Sequence, residues 1–556
     1  MSIIKEELKK RKRQKRIKIT GISVITIILI VIGVFGFQSY KESEFLKNVK
    51  LQGIKVDVKK VKHTKSNIFS SEYQEEAQKQ IDVLKKKKAY TEENPLVIEN
   101  PYGTNTSSLY FYAKTERESY VVCTIESKGA STLKNTLENG KKNRYEKVHE
   151  YEITGLVPGA KNRITLEYYN EDGKAVAKKY FEVRTKKDDS APEILEKKQG
   201  SSKAMMKEGL FAMFGWDKGM DYNIYLYDNK GVNRGKMPLN RYRNDRFLFV
   251  DGEMLYCYES NKIAFRNRLG KITKTIILDG YKFHHDMVYS EKYNKIVCLV
   301  NDKKKDTIED VVLIIDIKTG KIDKKIDFED FLGEMKDNAY RPEKNAYGGE
   351  ELDWLHLNSL DFVTGDSMIF SSREQSTLIK VDNIFGNPTM DYLIHGGSLY
   401  DETSYDNYLL KQEGSFVPQS GQHTITVEKS SSLKDGQYYL YMFNNNYANA
   451  LTIPEFDWSL YPGAGTFEEG SASKYYKYLV DEEKRTYKLV DSFDLPYSSI
   501  VSSVQHFDGN IPFSSGMSKT FGEYDAKGKL IYSFEYKAEK YSYRVMKYNF
   551  KGYWYR

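Results

Sequence analysis

Six of the chain's eight histidines fall between residues 284 and 506, and three of them stand at the same point of a repeated pattern. His285 precedes Met287-Val288-Tyr289, a turn at Glu291 to Asn294, and the apolar run Ile296 to Val300. His356 precedes Leu360-Asp361-Phe362, a turn at Gly365-Asp366, and Met368-Ile369-Phe370. His423 precedes Ile425-Thr426-Val427, a turn at Asp435-Gly436, and Tyr438 to Tyr441. If that position opens the innermost strand of each unit, three imidazoles far apart in sequence converge on one place. An imidazole with an unperturbed pKa of about 6.5 is largely neutral at physiological pH and serves as nucleophile, donor or proton shuttle. Three imidazoles also suit Zn²⁺ or another transition ion. His63, His149, His395 and His506 read as structural or surface residues. His284 stays an alternative to His285, which is preferred because it adjoins Asp286.

The elements that must position these side chains are strands. The chain is 40% hydrophobic and 14% aromatic, with 38 Gly and 12 Pro in 556 residues, a balance that favours pleated, half-buried surfaces and a mainly β fold. Six times a strand-like run ends in Asp or Asn, turns, and starts again: at Asp228 to Gly231, Asn267 to Gly270, Asp316 to Gly320, Asp382 to Gly386, Asp481 to Arg485 and Asp525 to Gly528. Six unequal units, each long enough for a four-stranded sheet, predict a six-bladed β-propeller over 193–556, with a large sandwich as the alternative. Before it, short alternating runs from Leu109 to Ala113, Tyr120 to Thr124, Tyr151 to Thr154, Arg163 to Tyr169 and Tyr180 to Arg184 predict a small β-sandwich over 94–186.

Charge is concentrated at the N-terminus. Nine bases within residues 1–18 stand against Glu6 and Glu7, giving +7 of the chain's +8. The remaining body is nearly neutral and has no long basic stripe, which argues against nucleic acid as a partner. Ile19 to Phe37 carries no charge and is rich in Ile and Val, so it is expected to be an uncleaved transmembrane signal anchor. The basic side faces the cytoplasm, which makes the protein single-pass in the cell membrane with its body on the extracytoplasmic side. Residues 38–93 read as a stalk carrying a polar helix from Ser71 to Lys88. Cys123, Cys257 and Cys298 are odd in number and sit inside strand-like runs, so they read as buried thiols.

Three histidine-bearing motifs carry a family resemblance. Asp353-Trp354-Leu355-His356-Leu357-Asn358-Ser359-Leu360-Asp361, followed by Ser371-Ser372-Arg373 and Lys380-Val381-Asp382, resembles the signature of the arylsulfate sulfotransferases. His284-His285-Asp286 looks like that family's earlier motif, and Gln422-His423 with Tyr441-Met442-Phe443-Asn444-Asn445-Asn446 looks like its third. Asn100-Pro101-Tyr102-Gly103 and Gly155-Leu156-Val157-Pro158-Gly159 are similar to the start and end of its N-terminal sandwich, so the resemblance runs from about residue 94 to the end. It implies a six-bladed propeller with a central active site and ping-pong transfer through a sulfated histidine, His423, without 3′-phosphoadenosine phosphosulfate.

The residue types fit that chemistry. Sulfuryl transfer spreads charge over three equatorial oxygens, so the protein supplies an in-line nucleophile and fixed donors. Arg373, planar and always charged, suits the oxygens; His285 and His356 donate or shuttle the phenolic proton; Asn358 orients or donates. No Gly-x-x-x-x-Gly-Lys phosphate loop is present, and neither a cofactor nor a metal is expected. A phenol ionises at about pKa 10, so aryl sulfates are the expected donors and phenols the expected acceptors. Two alternatives from other classes are a non-catalytic surface-binding propeller and a metal-dependent hydrolase or lyase. The oligomeric state is open, a homodimer included.

Overall fold

The computed structural model describes residues 6–7, 9–12, 49–216, 223–240, 242–467 and 469–556. The expected membrane segment 19–37 lies outside the described residues. Among those described, no helix is long and apolar enough to cross a membrane.

The N-terminal domain is organised around one long strand, Leu109–Ser127. Its first half pairs with Leu96–Glu99 and Glu146–Ile153, and its second half with Leu133–Thr136 and Lys161–Tyr169, which continues to Ala175–Arg184. One strand thus serves two sheets, and Val121, Cys123 and Ile125 fill the space between them with Phe111, Ile164 and Leu166. The polar helix is present as Ser71–Lys86, one residue off the expected cap, with the Ser70 hydroxyl accepting from the Tyr73 N–H. It does not stand free as a stalk. Tyr73, Ala77 and Ile81 recur every four residues, and the helix buries that stripe against a cluster that includes Tyr90, Leu96, Ile98 and Tyr110.

Among the described residues six sheets follow in a ring, four of them four-stranded and two five-stranded, antiparallel except where Lys411–Gln412 pairs parallel with Thr486–Leu495. Blade 2 (248–277), blade 3 (281–327), blade 4 (357–394) and blade 5 (423–495) are each consecutive in sequence, running from the innermost strand outwards. The six Asp or Asn turns read from the sequence are the turns between the third and fourth strands of the six blades. Their side chains close the turns: Asp228 accepts from the Lys230 and Val232 N–H groups, Asn267 from Leu269 and Lys271, and Asp525 from Lys527 and Lys529. Apolar layers between neighbouring blades hold the ring; Val297, Leu299 and Ile314 of blade 3, for example, meet Leu360, Phe370 and Ile379 of blade 4.

Both ends of the propeller are sewn across a blade boundary. Tyr541–Tyr548, the last strand, forms the inner edge of blade 1 beside Leu210–Trp216, while Ile194–Gln199 forms the outer edge of blade 6 beside Leu530–Tyr536. Lys547 on the closing strand is fully buried, donating to Glu523 of blade 6 at 2.6 Å and to Asn229 of blade 1 at 2.8 Å. Arg266 of blade 2 similarly donates to Glu152 of the sandwich at 2.6 and 2.7 Å, and Trp554 Nε1 donates to the same carboxylate at 3.0 Å. Removing one member of such a pair leaves an uncompensated buried charge. Lys547→Met is therefore expected to destabilise the propeller by about 3–5 kcal/mol, read as a lower midpoint of denaturant unfolding. A midpoint equal to that of the unaltered protein would show that Glu523 needs no cation.

Candidate active site

His356 and His423 stand where the innermost strands of blades 4 and 5 begin and His285 in the middle of that of blade 3, and each of those strands is bulged there. Pairing register shifts between Phe283 and Met287, between Leu357 and Ser359, and between His423 and Thr426. His285, His356 and Thr424 take positive φ values of 54°, 53° and 56°. A bulge inserts an unpaired residue and turns the local side chain out of the sheet's alternation. The result here is convergence. The His285 and His356 rings lie 5.0 Å apart, and Tyr543 on the closing strand lies 5.2 Å from His285 and 6.2 Å from His423. His285 makes these ring contacts, and His284 Nδ1 lies 2.9 Å from that of His285.

His423 has a defined tautomer. Its Nδ1 lies 3.0 Å from the Gly421 carbonyl oxygen and 2.8 Å from Asn445 Oδ1. The amide orientation is set independently, because Asn445 Nδ2 donates to the carbonyls of Ser498 (2.7 Å) and Val501 (3.0 Å). Facing two acceptors, Nδ1 carries the hydrogen and Nε2 keeps its lone pair. Burial, and the positive charge of Arg373 and His356, push the pKa of His423 well below the ordinary imidazole range, outweighing the Asn445 bond, so the ring is neutral at physiological pH.

His356 is the opposite case. Burial and Arg373 oppose its charge, but Asp353 Oδ2 and Glu309 Oε2 each lie 2.7 Å from its Nδ1 and raise its pKa to about 9. Its proton is directed to Asp353. Burial and the neighbouring His356 and His284 hold His285 far below the ordinary range, so a neutral imidazole adjoins an imidazolium. Burial also opposes the charge of Arg373, yet Glu374 and Asp353 keep the guanidinium protonated. Arg373 Nη2 donates to Glu374 Oε2 at 3.2 Å, and its backbone N–H donates to the His356 carbonyl at 3.1 Å. Glu374 Oε1 in turn accepts from the Thr452 N–H at 2.9 Å, fastening the long loop of blade 5 over the arginine.

Asn358 is fully buried and engaged. Its Nδ2 donates to the Gln422 carbonyl at 2.7 Å, so one amide hydrogen orients the backbone that carries His423. The site also holds residues that sequence reasoning gave no role. Asp353 and Asn445 lie inside the quoted motifs, three residues from His356 and four after Tyr441. Glu309, Tyr347 and Tyr543 lie in segments whose local pattern marks no chemistry. Two trios have the spacing to hold a metal ion, His284 with His285 and Glu309, and Glu309 with Asp353 and His356. In the first trio the imidazole pair lies 2.9 Å apart, and in the second His356 Nδ1 lies 2.7 Å from both Asp353 Oδ2 and Glu309 Oε2.

A neutral imidazole with an exposed lone pair, an imidazolium and a guanidinium, gathered at the centre of a propeller, are the parts of an enzyme that handles an anionic group. Residues 195–556 match the arylsulfotransferase (ASST) family, and residues 96–186 match the arylsulfotransferase Ig-like domain. The chain belongs to this family, whose activity is arylsulfate sulfotransfer. No curated protein sequence matches the chain. Among solved structures it is similar to a protein of unknown function from Bacteroides caccae, at 10% identity over 62% of this chain and 100% of that one, with a TM-score of 0.33. It is also similar to a putative 6-phosphogluconolactonase from Bacteroides fragilis, at 9% identity over 78% and 99%, TM-score 0.34, and to BamB from Moraxella catarrhalis, at 9% over 65% and 92%, TM-score 0.29.

Arg373 is the planar cation of the site, and lysine keeps its charge without the fork that grips two oxygens at once. Arg373→Lys is expected to lower turnover roughly tenfold or more, about 1.4 kcal/mol of transition-state stabilisation. Turnover close to normal in a folded Arg373→Lys protein would make the residue structural.

Proposed function

We propose that the protein transfers a sulfuryl group from an aryl sulfate to a phenol in two steps, through a sulfated His423 and without a nucleotide sulfate donor. The observation that carries this reading is the Nδ1 hydrogen of His423 held between Gly421 and Asn445, which leaves Nε2 as a free nucleophile in a buried site. The Nε2 lone pair attacks sulfur in line with the aryl oxygen. As the sulfur–oxygen bond breaks, its electron pair goes to that oxygen, which takes a proton from His356 and leaves as a phenol. Arg373 and His285 hold the equatorial oxygens. In the second step an acceptor phenol attacks sulfur, its proton returns to His356, and the sulfur–nitrogen bond breaks back to neutral His423.

Enzyme mixed with aryl sulfate and no acceptor is then expected to release about one phenol per active site in a burst and to stall. The stalled protein carries one sulfuryl group on the peptide containing His423, and added phenol discharges it. His423→Ala abolishes burst and label. Since the sulfuryl–nitrogen bond is acid-labile, the peptides are to be examined at neutral or alkaline pH. A label that persists in His423→Ala, or that maps elsewhere, removes His423 as the nucleophile.

We further infer from charge and hydropathy that residues 1–18 lie in the cytoplasm and 19–37 cross the membrane, so that the enzyme works outside the cell membrane. Protease added to intact cells is expected to digest the body and spare an N-terminal tag. Protection of the body overturns this orientation.

A further inference from the structure

Glu309 sits in the connection between two strands of blade 3, Lys295–Asp302 and Val311–Asp316, at a positive φ of 61° that a glutamate adopts only under constraint. The backbone is pinned from two blades: its N–H donates to Asn301 Oδ1 at 2.7 Å, and its carbonyl accepts from the Leu357 N–H at 2.8 Å. This strain aims a buried carboxylate at the centre of the site. Glu309 faces His284 and His285 of blade 3, His356 and Arg373 of blade 4, and Asp353 and Tyr347 of the intervening segment. Its Oε2 lies 2.7 Å from His356 Nδ1 but receives no hydrogen bond, because that proton goes to Asp353.

Oε1 accepts a phenol. The Tyr347 hydroxyl donates to it at 2.9 Å, although Tyr347 is 59% exposed. The ring therefore reaches from solvent to the buried carboxylate, lying at 16° to the plane of His356 with the centroids 6.1 Å apart. Tyr347 belongs to a self-contained turn closed by Asn345, which accepts from the Tyr347 and Gly349 N–H groups. An aryl hydroxyl thus already sits on the carboxylate that pairs with His356.

On the strength of the sulfuryl-transfer reading above, we propose that Glu309 receives the hydroxyl of the incoming aryl acceptor before its proton passes to His356, and that Tyr347 holds that place when no substrate is bound. The ligand class is the neutral phenol. A carboxylate accepts a hydrogen bond from a phenolic O–H and repels a phenolate. Glu309→Gln keeps an oxygen acceptor but adds amide hydrogens that a phenolate accepts.

The test is the acceptor KM as a function of pH, with phenol and the more acidic 4-cyanophenol as acceptors. In the unaltered enzyme, the pH at which KM rises is expected to follow each acceptor's own ionisation, and in Glu309→Gln the rise is expected to be lost. Tyr347→Phe removes the resident hydroxyl while keeping the ring on an exposed turn, so acceptor KM is expected to fall roughly threefold to tenfold. An unchanged or higher KM in Tyr347→Phe overturns the proposal. So does a rise at one pH for both acceptors, or a stoichiometric metal in the purified enzyme that Glu309→Gln loses. Absence of the burst in unaltered enzyme would count against His423 alone, since KM for a phenol acceptor is read whatever the path.

Discussion

The hydrogen on His423 Nδ1 faces two carbonyl oxygens, and much of the propeller's centre is arranged to keep those oxygens in place. Gly421 takes a positive φ of 61°, and its N–H donates to Ser376 Oγ of blade 4. Asn445 is held by the Ser498 and Val501 carbonyls that lead into blade 6, where Val501 and Ser502 themselves have positive φ. Asn358 grips the Gln422 carbonyl from blade 4. Three blades therefore converge on one tautomer. On the proposed mechanism, a histidine with the opposite tautomer would turn an N–H toward the sulfur and would not attack, so these positioning contacts would decide whether a nucleophile exists at all.

Such an arrangement is available only inside a closed ring. An open sheet would leave the inner strands as edges, whereas radial closure lets each innermost strand abandon a few ladder bonds to a bulge and still remain covered. The groups freed by the bulges find side-chain partners across blade boundaries: the Ile425 N–H donates to Ser359 Oγ and the Val427 N–H to Asp361. The seams are correspondingly polar. Arg544 on the closing strand lies 3.0 Å from Asp286 of blade 3 and donates to the Asn358 carbonyl of blade 4, so the last strand of the chain braces the blades that carry the site.

What could be read from the sequence follows from which contacts are local. The six outer turns were legible because an Asp or Asn side chain closing a turn on its own neighbours leaves a short signature, with glycine where φ must be positive. At Arg485, which takes a φ of 51° without being glycine, the signature weakened but the turn remained. His285, His356 and His423 were legible through their common place before an inner strand. Glu309 was not, since the side chains it meets, among them His285, Tyr347 and His356, lie far from it in sequence and its own segment, Asp302 to Asp310, reads as a polar loop. The helix Ser71–Lys86 misled in a related way: Tyr73, Ala77 and Ile81, at four-residue spacing, bury one stripe of an otherwise charged helix, too narrow a signal to announce packing.

The charges of the site also explain why a cationic histidine beside two carboxylates suits an anionic substrate. In the proposed two-step transfer, the −1 of the aryl sulfate is matched at the start by the +1 of His356. After the first step the phenol is neutral, His356 is neutral, and sulfated His423 carries a ring cation against its sulfuryl anion. The net charge of the buried space is unchanged, so no ion has to enter or leave. What does change is the pairing of Asp353 and Glu309, which lose the imidazolium between them. That loss makes neutral His356 a base strong enough to reclaim a proton from the next phenol. With His356 raised to about 9 and phenols ionising at about 10, the proton would pass in either direction at little cost, as the proposed ping-pong reaction with an aryl oxygen on both sides requires.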